Sequence, residues 1–213
     1  MHKQFTLVLA TLAMSAAAFA QTHIFQDGGY QIGYAANLNV GDSVINLSND
    51  GAQGGFFSAK YTGSICANVY VFDASEEEIA CCACQITPNG LNSLSAKSDL
   101  INNTLTPAVP SSIVIKLVAT APINASATKA GTCDPTQPLV PVTGLLAWGA
   151  TLEPAGGSPA TYSPIAVSFL NGQLGAGEQA DLATVCGFVQ AEGTGFGVCN
   201  NACRVGALSG AKN

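Results

Sequence analysis

Ile65-Cys-Ala-Asn-Val-Tyr-Val-Phe72 and Ile79-Ala-Cys-Cys-Ala-Cys-Gln-Ile-Thr87 flank the polar run Asp73-Ala-Ser-Glu-Glu-Glu78. Both flanks are rich in β-branched, aromatic and Cys residues, and the run between them is turn-like, so the pair reads as a β-hairpin. Alternation along the second strand places Cys82 and Cys84 on one side and Cys81 on the other. Adjacent Cys81 and Cys82 are therefore poor partners for each other.

The same pattern extends in both directions. Ser43 to Leu47 alternates as a strand, and Asn49-Asp50-Gly51, Gly54-Gly55 and Pro88-Asn89-Gly90 mark turns. Leu91 to Leu100 fits either an extended segment or a short helix. Ile113-Val-Ile-Lys-Leu-Val118 is a strand whose near-continuous apolar character predicts burial on both faces. Further strands are expected over Val140 to Leu152 and Ile165 to Leu170. From Glu178 to Gln190 the period changes: Leu182, Val185, Cys186 and Val189 recur at three and four, one face of a helix that Gly193 and Gly195 end. The expected fold is mainly β, a disulfide-stapled β-sandwich with one C-terminal α-helix.

The N-terminus has a different character. Met1-His-Lys3 is followed by an apolar stretch from Phe5 to Phe19 ending Ala18-Phe-Ala20, the three-part pattern of a secretory signal. The stretch is shorter than the roughly 20 residues of a membrane span. Residues 1–20 read as a signal peptide, 21–36 as a Gly- and Gln-rich arm, and 37–213 as a single sandwich domain with its terminal helix. The arm carries Ile24, Phe25, Tyr30, Ile32 and Tyr34, which need burial. They fold back on their own domain, or they lie in a neighbour's groove or sheet edge and chain subunits together.

Removing the signal leaves six basic against 13 acidic side chains, a balance that argues against nucleic acid and anionic membranes as partners. Charged residues are 9% of the chain, against about 25% in ordinary soluble proteins. Little charge keeps copies apart, which suits a protein that assembles or sits in a matrix. Eight Cys, at 66, 81, 82, 84, 133, 186, 199 and 203, follow the signal. An even number in that context reads as a disulfide framework in a secreted, extracellular or cell-surface protein. Eight Cys allow 105 pairings, and connectivity stays open.

The chemical motifs are weak. Gly41-Asp-Ser43 resembles the nucleophile block of GDS-type esterases, but such a Ser needs a His base. His23 is the only His after the signal, and it precedes the Ser. Cys81-x-x-Cys84 has strand-like flanks rather than the helix N-terminus of a redox motif. With Cys199 and Cys203 it would supply four thiolates to zinc, although such thiols pair with one another where conditions oxidise. The acidic turn, through Asp73, Glu76, Glu77 and Glu78, is a candidate calcium site, weighed against a solvated hairpin tip. Asp50 beside Gly51 is a second such turn. Paired glycosidase acids need an aromatic-lined cleft, and aromatics are 7% with a lone Trp148.

Several segments together carry a resemblance. They are Asn37-Leu-Asn-Val-Gly-Asp-Ser-Val-Ile-Asn-Leu-Ser-Asn-Asp-Gly51, Ile65 to Asp73, Ile79 to Leu91 with its Cys-Cys-x-Cys…Thr-Pro-Asn-Gly run, Asn103-Thr-Leu-Thr-Pro-Ala-Val-Pro110, Ala147-Trp-Gly149, and Gly195-Phe-Gly-Val-Cys-Asn-Asn-Ala-Cys203. In these the chain resembles a family of secreted, Cys-rich, uncharacterised proteins of environmental bacteria. The resemblance implies export and a shared fold, and brings no catalytic residue with it. The expectation is a non-enzymatic extracellular structural protein, a subunit of a fibre or matrix, with itself or the matrix as partner and no cofactor beyond calcium. The rivals are a glycan- or metal-binding module using Trp148 and loop acids, and a secreted hydrolase.

Mass spectrometry of exported protein is expected to find a mature chain that begins at Gln21; an intact Met1 on exported material would contradict the signal reading.

Overall fold

The computed structural model describes residues 23–24, 28–55, 61–104, 106, 108–155, 161–192, 199 and 203–205; the segment 1–20, read above as a signal peptide, and Phe25 lie outside them. In chain order the strands are β1 (His23–Ile24), β2 (Tyr30–Ala35), β3 (Val44–Asn49), β4 (Ile65–Phe72), β5 (Glu78–Ile86) and β6 (Leu91–Ser95). They continue as β7 (Ile113–Thr120), β8 (Leu145–Pro154), β9 (Tyr162–Ser168), β10 (Leu170–Asn171) and β11 (Leu174–Gly175). Helix α1 (Ala176–Glu192) and β12 (Arg204–Val205) follow.

Two antiparallel sheets, in the orders β10-β2-β7-β4-β5 and β12-β6-β3-β8-β9, form the sandwich. Alternation sorts their side chains. Ala67, Val69 and Val71 of β4, Cys82, Cys84 and Ile86 of β5, and Ile113, Ile115 and Leu117 of β7 point inward. They meet Ile45, Leu47, Leu94 and Leu145 of the second sheet in one core. Each such Ile or Leu, fully buried, contributes roughly 1.5–3 kcal/mol.

Opposite sides of the sandwich close differently. On one, the chain leaves β9 and crosses to β10 through buried Phe169. Gly33 makes room for it: a Cβ there would sit 2.6 Å from the Phe169 ring. On the other, Cys82 and Cys84 bond to Cys199 and Cys203, and the tail then adds β12 to the edge of β6. These two disulfides thus tie the first sheet to the second. Outside the first sheet, Cys81–Cys186 fixes α1 and Cys66–Cys133 fixes the 121–144 loop. All eight Cys are paired, and four disulfides are the mark of an oxidising environment.

The hairpin at 65–86 and the strand at 113 form where the sequence predicts them, and the 91–100 segment divides. Leu91–Ser95 is strand and Ala96–Leu100 a single π-helical turn, capped by the Ser95 hydroxyl, which accepts from the Ser98 N–H at 2.9 Å. The arm needs correction. Over Tyr30–Ala35 it is an internal strand, paired with β10 on one side and β7 on the other. Tyr30 is buried and Ile32 partly so within their own domain, leaving Tyr34 exposed. Ile24 joins the short β1–β11 ribbon. On α1, Leu182, Cys186 and Val189 are buried as the helical period predicts, joined by Gln179 and Ala183. Val185 instead turns 40% to solvent, so the buried face is rotated from the sequence stripe toward Gln179 and Ala183.

One polar side chain is built into the junction of the sheets. Asn49, fully buried at the end of β3, donates to the carbonyls of Gly63 (2.9 Å) and Ile86 (3.0 Å), while its oxygen accepts from the Gly51 N–H (2.9 Å). Asn49→Ala is expected to cost roughly 2–4 kcal/mol in urea unfolding, because it orphans these buried backbone groups; a change within experimental error would show that water replaces the amide.

Candidate functional site

The sequence motifs resolve into structural roles. Ser43 is buried, its hydroxyl 2.8 Å from that of Thr151, and Asp42 accepts from the Ser95 hydroxyl (2.5 Å) and the Lys97 N–H (2.9 Å). The Gly41-Asp42-Ser43 block is therefore a turn that ties β3 to the π-helical turn. Cys81, Cys84, Cys199 and Cys203 are all in disulfides, so the four do not form a thiolate set for zinc. In the acidic turn, the Asp73 carboxylate accepts from the N–H groups of Ser75 (2.8 Å) and Glu77 (3.1 Å) and shapes the hairpin tip. Glu76 takes a left-handed φ of 66° there. Glu76 and Glu77 face solvent, whereas Glu78 is buried. The proposed calcium quartet does not converge: the one group of three metal-capable ligand atoms within 4.8 Å, among the described residues, is Glu78 with disulfide-bonded Cys81 and Cys186.

Glu78 is the unusual group. A register shift between Val71 and Phe72 sets it opposite Phe72, on the helix-covered side of the sheet. Around it lies a second, smaller core of Tyr30, Tyr70, Val118, Leu174, Leu182 and the Cys81–Cys186 bridge. Neither carboxylate oxygen has a hydrogen-bond partner. Burial pushes its pKa up to about 8, Lys116 opposes that rise, and Glu178 adds to it. Lys116 reaches across from β7, pairs with Glu178 in the first turn of α1, and lies 4.6 Å from the Phe72 ring centre. The same burial, with Glu178 nearby, lifts Tyr30 to about 12. Tyr70 is raised by burial and then by Glu78 and Asp134, and its hydroxyl donates to the Pro135 carbonyl at 2.8 Å. The arrangement docks a helix and loop over the sheet and keeps one acid protonated.

Two surface features remain. Tyr34 and Val114, facing each other across β2 and β7, line a shallow groove with Ile113, Ser112, Ala74 and Asp73. On the outer side of the second sheet Trp148 is 43% exposed, opposite Asn46 of β3 and Ser168 of β9. The sequence singled out Trp148 but read Glu78 as part of a solvated run. Alternation counted back from Cys81 would set Glu78 on the opposite face of the strand, and only the register shift after Val71 brings it under the helix.

Compared with known proteins, the chain matches no protein-family model, no curated protein and no solved structure. Among the described residues no helix is long and apolar enough to cross a membrane.

Glu78 makes stability depend on pH. Its folded pKa of about 8 stands above the ordinary 4.5, so between those values the unfolded chain gives up a proton that the folded chain keeps. The stabilisation is complete below about pH 4.5 and falls by up to about 1.4 kcal/mol per pH unit until the folded pKa is passed. Glu78→Gln is expected to remove this slope, so that the variant gains on the wild type steadily from pH 5 to 8 in denaturant unfolding. Parallel profiles would show that Glu78 is ionised in the fold.

Proposed function

We propose that the protein is a secreted, non-enzymatic structural protein, a subunit of an extracellular fibre or matrix. The observation that carries this reading is the difference between the two sheets. Disulfides staple α1 and the 121–144 loop against the first. The second presents Leu146, Trp148, Ala150 and Leu152 of β8 beside Pro164 and Ala166 of β9, none of them charged. Leu146 and Trp148 are 47% and 43% exposed while Leu145 and Thr151, facing the other way, are buried. Apolar, uncharged surface of this kind favours association. The covalent framework suits a protein that has to persist outside the cell.

A glycan-binding role is the second reading, and Trp148 favours it. An indole on a flat sheet face, with the Asn46 amide and Ser168 hydroxyl on neighbouring strands, offers a stacking plane with polar groups beside it. The expected outcome is that purified exported protein forms higher-order species in light scattering and electron microscopy as its concentration rises. A monomer at millimolar concentration would overturn the structural reading. Retention on an insoluble polysaccharide, lost in Trp148→Ala, would move the assignment to the binding module.

A further inference from the structure

We propose that β9 is a self-pairing edge, through which two copies join their second sheets about a two-fold axis at Ile165. The inference rests on the assembly reading above and names its contact. Among the described residues β9 pairs only with β8, whereas β10 and β12, the strands ending the other open edges, have two residues each. The edge at β5 has α1 and the Cys82 and Cys84 bonds against it.

The ladder fixes what β9 offers a partner. Register pairs Trp148 with Ser168 and Thr151 with Ile165, and Phe169 donates to the Ala147 carbonyl while Ala155 donates to that of Thr161. Odd-numbered residues of β9 therefore bond to β8, and the even-numbered backbone groups, at Tyr162, Pro164, Ala166 and Ser168, point away from it. In an antiparallel pair of copies centred on Ile165, Tyr162 faces Ser168 and Pro164 faces Ala166. Each Tyr162–Ser168 pair exchanges both bonds. Each Pro164–Ala166 pair keeps the one in which Ala166 donates. Centring the axis on Pro164 instead sets two residues without an N–H against each other, and centring it on Ala166 takes Tyr162 out of the strand pairing.

The side chains agree with that register. Ile165 lies opposite buried Thr151 and on the same side of its strand as buried Val167, yet is 41% exposed because its outer flank is open. At the axis two Ile165 residues form a non-hydrogen-bonded pair, the closer kind, and cover each other's flank. No charged residue occurs from Tyr162 to Ser168, so nothing along the edge repels a second copy or guards it in the way that edge lysines do. The contact is isologous and consumes the edge, so by itself it closes at a dimer.

The test is analytical ultracentrifugation of the purified exported protein across a concentration series, wild type beside Ile165→Lys, with amide hydrogen exchange of the wild type at low and high concentration. The expected result is a wild type whose first associated species is a dimer, at least a tenfold weaker association in the variant, and exchange at Ala166 and Ser168 that slows as concentration rises. If Ile165→Lys does not fold, the wild-type exchange decides alone. Wild-type association with no protection at these amides would overturn the edge assignment and leave the assembly reading standing. A wild-type monomer throughout would overturn both.

Discussion

Every disulfide in this protein has one end in the same hairpin. Cys66 lies on β4 and Cys81, Cys82 and Cys84 on β5, and their partners are drawn from the 121–144 loop, α1 and the tail. The alternation of a strand gives adjacent Cys81 and Cys82 opposite directions. One bond therefore covers the outer face and the next closes the inner one. The bonded pairs lie 67 to 119 residues apart, and closing a loop of about 100 residues is worth roughly 4–5 kcal/mol per bond in the chain-entropy account. The loops overlap, so the bonds share that gain. The hairpin is the frame on which the other parts are hung.

The two faces of that frame have different chemistry. Inside, the core between the sheets is mostly aliphatic, with Phe169 and two disulfides, and the amides buried against it, Asn49 and Gln31, carry no charge. Outside, under α1, the layer mixes two tyrosines, an ion pair and an acid whose oxygens lack partners. The first cluster holds no titratable side chain. The second responds to protons, because an unpartnered buried carboxyl is tolerable only while neutral. Helix docking and sheet packing are thus separately sensitive parts of one fold.

Much of this was legible in the sequence. The sandwich, the hairpin, the helix and the opposed directions of Cys81 and Cys82 follow from periodicity alone. The connectivity does not, since strand parity removes few of the 105 pairings. The strand at Tyr30–Ala35 was hidden by its small and polar inward residues. Gly33 leaves space for Phe169, and Gln31 donates to the Leu145 carbonyl at 2.9 Å. Tyr30, Ile32 and Tyr34 nevertheless alternate, and that alternation was the available signal. Glu78 was lost among its acidic neighbours because the register shift that turns it inward has no signature in residue type. At the candidate surface, Trp148 stood out by being alone, whereas the open edge of β9 is a property of topology.

The hairpin's position in the chain has a consequence for how the protein is made. Synthesis runs from the N-terminus, so Cys66, Cys81, Cys82 and Cys84 all emerge well before Cys186, Cys199 and Cys203. During that interval the early thiols have one another as nearest neighbours, and short loops close more readily than long ones. An oxidant acting then traps bonds that the finished fold does not contain. From such a trapped state the native set is reached by exchange, in which a late thiolate displaces an early, mistaken partner. An environment that reshuffles disulfides as well as making them therefore favours the native set.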